Sequence, residues 1–138
     1  MKAITHRRYG SPDVLRLEEV DMPVVGDDGV LVRVRASSVN PVDWHGLRGE
    51  PFLVRMSDGL RRPKGWQLGV DVAGQVEAVG ANVTEFRPGD EVFGTRNGAF
   101  AEFVLGRERN FASKPANLSF EQAAAIPVAA TTALQALR

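Results

Sequence analysis

Few side chains in this sequence can make or break bonds. It contains no cysteine, which excludes disulfides, thiol nucleophiles and every zinc site that uses a thiolate. The two histidines, His6 and His45, are the side chains whose ordinary titration falls near neutral pH, and their separation matches no metal-ligand spacing. Lys+Arg and Asp+Glu both total 17, so net charge directs the chain neither to nucleic acid nor to an anionic membrane. The local basic cluster Arg55, Arg61, Arg62 and Lys64 has no interleaved aromatic platform for stacking bases and reads as a solvated loop. Gly74 and Gly80 lie within and after an alternating strand pattern and include no close Gly-x-Gly pair, so they are not a dinucleotide fingerprint.

These residues are carried mostly on strands. Val30, Val32, Val34 and Ala36 alternate with Arg33 and Arg35, the pattern of a half-buried strand. Val70, Val72, Gly74, Val76 and Ala78 fall on one face of a second strand, with Asp71, Gln75 and Glu77 on the other. Val14–Val20 and Ala99–Leu105 are further candidates. Turn signals separate them at Gly26–Gly29 and Arg87–Asp90, with Asp43 and Asp90 as cap and turn acceptors. Short strands divided by Gly/Pro turns predict a mainly β fold, a partly open antiparallel barrel with short helices. Gly49–Gly69 reads as a long surface loop.

The pattern changes after Asn117. Ser119 and Gln122 have the form of a capping box, and Pro127 suits the first turn of another helix, along which Ile126, Ala130, Ala133, Leu134 and Leu137 recur. The expected division is a barrel over residues 1–118 and a helical connector over residues 119–138. The stripe still runs at Arg138, which predicts a further surface to cover it, and self-association is one way to supply it. Residues Met1–Arg8 hold no apolar run suited to a signal peptide, and no segment is long enough to span a bilayer, so the expectation is a cytoplasmic protein without a membrane partner.

Four blocks occur in order: Ser38–Gly49, Leu68–Gly80, Phe86–Gly94, and Gly98–Phe103 followed by Ala124–Ala133. With them the sequence resembles the medium-chain dehydrogenase/reductase superfamily, in its quinone-oxidoreductase-like branch. The resemblance implies a GroES-like barrel followed by a Rossmann domain, which would lie outside these 138 residues. It implies NADPH as cofactor and a quinone or an activated alkene or carbonyl as substrate. Zinc-dependent members place cysteine where this chain has Asn40 and a His-Glu pair where it has Val70-Asp71, so the resemblance implies no metal site.

By the same resemblance Asn40, Pro41 and Val42 lie beside the nicotinamide and Thr132 near its carboxamide, where an amide and a hydroxyl can bond a neutral group without adding charge. His45 stands where many members carry a proton-relay residue; it reads either as that relay or as a helix cap. Trp44 and Trp66 are candidates for the substrate pocket, Trp44 equally for the core. Other readings are a non-enzymatic binding module and an enoyl-reductase domain of a polyketide-type synthase. The chain alone is expected to fold without catalysing.

Overall fold

Alternation in the Val30 segment produces the central strand. In the computed structural model, which describes all residues Met1–Arg138, β3 (Val30–Ser38) sends Val30 and Val32 into the core and Arg33 and Arg35 to the surface. It pairs antiparallel with β4 (Asp71–Val79) on one side and β6 (Phe103–Gly106) on the other. β5 (Glu91–Thr95) and β7 (Phe111–Ser113) continue the sheet in the order β6-β3-β4-β5-β7. The edge strands β6 and β7 do not pair with each other, so the sheet is open rather than closed. β1 (Lys2–Thr5) and β2 (Arg16–Glu19) form a two-stranded ribbon, joined to the rest through an Ala3–Ala101 bridge. Mainly antiparallel β structure with short helices is the architecture that the alternation predicts. Two expected strands are narrower than their apolar runs: Pro12–Val14 forms a 3-10 turn before β2, and β6 starts at Phe103.

One face of the sheet holds the main core, Val30, Val32, Val72, Val76, Phe86, Val92, Ala99, Val104 and Phe111. The other face of β4 departs from expectation. A half-buried strand would leave Asp71 in solvent, yet Asp71 and Ala73 are fully buried. α3 (Phe120–Ala124) covers that face, packing Ala123 and Ala124 on Ala73. Two-sided burial also explains why Leu68–Val79 is so apolar a stretch.

The capping box predicted before α3 is present. Ser119 Oγ accepts from the Gln122 amide at 3.2 Å, and Gln122 Oε1 accepts from the Ser119 amide at 2.9 Å. α4 (Pro127–Ala136) begins at its proline as expected. Its stripe is not covered: Ala130, Ala133, Leu134 and Leu137 are all exposed, and the helix meets the sheet through its first turn.

The Gly49–Gly69 segment is not wholly a loop, as the sequence had suggested. It contains α2 (Phe52–Asp58), built from Leu, Arg and Met with their good helix propensity. Phe52, Leu53 and Met56 face solvent, so this helix carries no apolar-inward pattern by which periodicity could have detected it. Arg55 also departs from the solvated reading. Its guanidinium lies 4.9 Å from the Tyr9 ring centroid and donates to the Gly49 carbonyl at 2.9 Å. No helix is long and apolar enough to cross a membrane.

Candidate functional site

The site is built around a buried carboxylate, Asp71, which the resemblance placed only as the counterpart of a glutamate in zinc-dependent members. Asp71 opens β4 opposite Ser38, the last residue of β3. Its Oδ2 accepts from Ser38 Oγ at 2.9 Å and from Asn40 Nδ2 at 3.0 Å. Its Oδ1 accepts the Val128 amide of α4 at 3.0 Å, and its backbone carbonyl accepts from Ser37 Oγ at 2.6 Å. An ionised carboxylate can stay in the interior only when its oxygens are satisfied in this way. The available signal was an acidic residue inside an otherwise apolar run; alternation assigned it to solvent instead.

Asn40 is positioned twice over. Pro41 follows it and disfavours helical backbone at Asn40, which is extended at φ −118° and ψ 161° and caps α1 (Pro41–Arg48). Its backbone amide donates to Asp43 Oδ2 at 2.8 Å, so Asp43 is the cap acceptor the sequence suggested. Because Asp71 can only accept, the Asn40 amide nitrogen must point at it. Asn40 Oδ1 has no partner and is free to accept from a ligand. Asp43 is buried beside this amide. Burial pushes its carboxyl above the ordinary carboxylate range, the amides of Asn40 and Gly69 oppose the rise, and the charge of Asp71 adds to it.

His45 lies on the following turn of α1. Its Nδ1 is 2.7 Å from the Glu50 carbonyl. A carbonyl only accepts, so Nδ1 carries the proton and Nε2 of the neutral ring holds a lone pair. The ring could therefore give a proton through Nε2 only as an imidazolium. The same contact fixes the turn after α1, so geometry accommodates both the relay and the capping reading. His45 lines a cleft of about 340 Å³ together with Val42, Asp43, Val54, Leu68 and Val70.

The other expected residues disperse. Trp44 is exposed, beneath the Arg48 guanidinium at 4.7 Å and edge-on to His45, outside that cleft. Trp66 lines a separate cleft with Pro23 and Phe103. Thr132 is exposed on α4 with an uncommitted hydroxyl, whereas Thr131 Oγ1 is spent on the Pro127 carbonyl at 2.6 Å. Asp71 holds both Asn40 and the start of the helix that carries Thr132, so one carboxylate sets the two groups relative to each other.

Gly74 lies within β4 and Gly80 directly follows it. A Cβ at Gly74 would meet the Arg33 carbonyl oxygen at 2.1 Å, and one at Gly80 the Gly26 carbonyl oxygen at 2.1 Å. Both admit a neighbouring backbone rather than a phosphate.

Comparison with known proteins agrees with this fold. The family model for the alcohol dehydrogenase GroES-like domain matches residues 26–116. A quinone oxidoreductase of Lama guanicoe is 38% identical over 99% of this chain and 40% of its own length. A 2-methylene-furan-3-one reductase of Solanum lycopersicum is 38% identical over 99% of the chain and 37% of its own length. Among solved structures, the Escherichia coli quinone oxidoreductase complexed with NADPH superposes with a TM-score of 0.84 at 29% identity, covering 100% of this chain and 40% of that one. The chain thus spans about 40% of the length of the quinone oxidoreductase it matches. It belongs to the alcohol dehydrogenase GroES-like domain family of the medium-chain dehydrogenase/reductase superfamily, with quinone oxidoreductases among its relatives.

Proposed function

We propose that this chain forms the substrate-side wall of a reductase that moves hydride from NADPH to a quinone or an activated alkene without zinc. The observation that carries the reading is the Asn40–Asp71 pair. It presents a neutral acceptor, Asn40 Oδ1, two residues before Val42, which lines the mixed polar and apolar cleft of His45, and the same carboxylate anchors the helix of Thr132. A carboxamide can donate to Asn40 Oδ1 and accept from the Thr132 hydroxyl, so these residues fit the nicotinamide end of the cofactor. The relatives named above are reductases of quinones and of an activated alkene, and one is a complex with NADPH.

Zinc fits this donor set poorly. The side chains around the amide are Ser38, Asp43 and Asp71; no thiolate or imidazole joins them, and Val70 has no donor atom. No three His, Cys, Asp or Glu side chains converge anywhere in the chain.

NADPH, when bound, supplies the hydride. The chain's own part is to orient its carboxamide through Asn40 and Thr132, to hold the acceptor against Val42 and Val70, and to exclude water. The negative charge left after hydride arrival takes a proton from solvent or from the His45 imidazolium through Nε2.

The test is steady-state reduction of a quinone and of an enone by the complete reductase, this chain together with a dinucleotide-binding domain, after treatment with a zinc chelator. Undiminished turnover is expected, and elemental analysis should find no stoichiometric zinc. Asn40→Ala should lower turnover about tenfold or more by misplacing the ring. Activity lost to the chelator and restored by zinc would overturn the metal-free reading.

A further inference from the structure

The two sides of α2 are put to different uses. At about 100° per residue, Phe52, Leu53 and Met56 share one arc of the helix, and Val54 and Asp58 lie on the opposite side. Val54 is half-buried and lines the His45 cleft, which Asp58 also borders. The other arc is left bare: Phe52 is 63% exposed, Leu53 70% and Met56 63%. Leu60, just past the helix, is 60% exposed. Scattered apolar residues on a surface need no explanation, but four large ones this close together form a patch that a partner would stabilise by covering it.

Charge narrows what that partner can be. The whole chain is neutral, yet residues 51–64 carry Arg55, Arg61, Arg62 and Lys64 against the single carboxylate of Asp58. Arg55 is committed to the Tyr9 ring and the Gly49 carbonyl. The other three cations gather at the C-terminal end of α2. There the Lys64 amide donates to the Asp58 carbonyl at 2.6 Å, and Lys64 Nζ donates to the Ser57 carbonyl at 3.0 Å. Leu60, Arg61 and Arg62 therefore form the tip of a turn that folds back on the helix end. Arg61 and Arg62 are exposed and enter no ion pair. Asp58 lies on the cleft side, so the bare arc and the turn beside it are apolar and cationic, with no carboxylate of this segment among them.

We propose that the bare face of α2 and the turn after it dock on an anionic lipid surface. Phe52, Leu53, Met56 and Leu60 enter the boundary between headgroups and acyl chains, and Arg61, Arg62 and Lys64 meet the anionic headgroups. A lipid surface offers both layers at once, and the long stems of arginine and lysine reach from one to the other. A second copy presenting the same face about a two-fold axis would set cation against cation, so self-pairing fits the charges worse. Docking does not depend on the reductase reading. Where both hold, the helix that rests on the lipid also walls the His45 cleft through Val54, which brings the cleft to the phase where apolar acceptors dissolve.

The test is co-sedimentation of the 138-residue chain, and of the complete reductase, with vesicles of phosphatidylcholine alone or mixed with phosphatidylserine. Both proteins should partition onto the mixed vesicles about tenfold better or more, with the preference lost at high salt. Arg61→Ala/Arg62→Ala should remove most of that preference, and Phe52→Ser/Met56→Ser should weaken binding to the mixed vesicles about tenfold. If the helix variant unfolds, Leu60→Ser and the arginine pair, which lie outside α2, carry the test. Absence of binding, or a preference that survives the arginine changes, overturns the proposal. Binding by the 138-residue chain that the complete reductase lacks assigns the face to the second domain and overturns it as well. Equal retention of wild type and Phe52→Ser/Met56→Ser on the vesicles and on immobilised polyglutamate marks a general anion-binding patch, such as an acidic protein would use, and overturns the lipid assignment.

Discussion

His45 and His6 illustrate how surroundings set the same side chain differently, one by a hydrogen bond and the other by burial. With Nδ1 held by the Glu50 carbonyl, His45 donates only when charged. If it relays a proton, His45→Phe should be slower and should differ from the wild type in the shape of its pH profile. Unchanged turnover and an unchanged profile in that variant would leave the imidazole as a cap alone. His6 is disfavoured as a cation because burial lowers its pKa below the ordinary 6.5, with Asp58 opposing. Its folded-state pKa lies below its unfolded one, so its contribution to stability is complete above pH 6.5 and is lost as pH falls through the lowered value. The thermal midpoint of the wild type should therefore drop more steeply below pH 6.5 than that of His6→Gln. Parallel curves would mean that His6 is not held neutral by the fold.

At the scale of elements, Asp71 ties together β3, β4, α1 and α4. Asp71→Asn keeps the shape but presents an amide nitrogen to at least one donor. Hydrogen bonds to charged groups contribute about 1.5–3 kcal/mol each, so a loss of about 2–3 kcal/mol in denaturant unfolding is expected. A loss below about 0.5 kcal/mol, the range of ordinary surface changes, would show that the carboxylate anchors nothing. The elements legible in the sequence are those whose pattern reflects a single gradient between core and water. β3, the Ser119–Gln122 cap and the Pro127 start of α4 obey local rules and could be read directly. α2 could not, because its apolar residues face outward. Asp71 was misassigned to solvent because its partners, Asn40 and the Val128 amide of α4, lie far from it along the chain. The same holds for the candidate site: Asn40, His45 and the position of Asp71 came from a motif-bearing resemblance, whereas the contacts by which Asp71 aims Asn40 required tertiary structure.

For the molecule as a whole, the reach of the site limits what these 138 residues can hold. In the proposed reading Asn40 and Thr132 address only the carboxamide end of a dinucleotide, and two hydrogen bonds contribute about 1 kcal/mol each. Immobilising a ligand costs about 4–15 kcal/mol. The 138-residue chain should unfold cooperatively, since its core is assembled within the sheet, yet titration with NADPH should not saturate below about 1 mM. Micromolar binding would place the main cofactor contacts inside this chain.

The exposure of α4 gives the Asp71–Val128 contact a mechanical meaning. A helix bound to the sheet only at its first turn is a lever, and its fulcrum is the carboxylate that also aims Asn40. A tilt of α4 that pulled the Val128 amide from Oδ1 would leave that oxygen bare in the interior and disturb the same side chain's hold on the Asn40 amide. A load on the free face of the helix is in this way geared to the alignment of the Asn40 amide, through a single side chain.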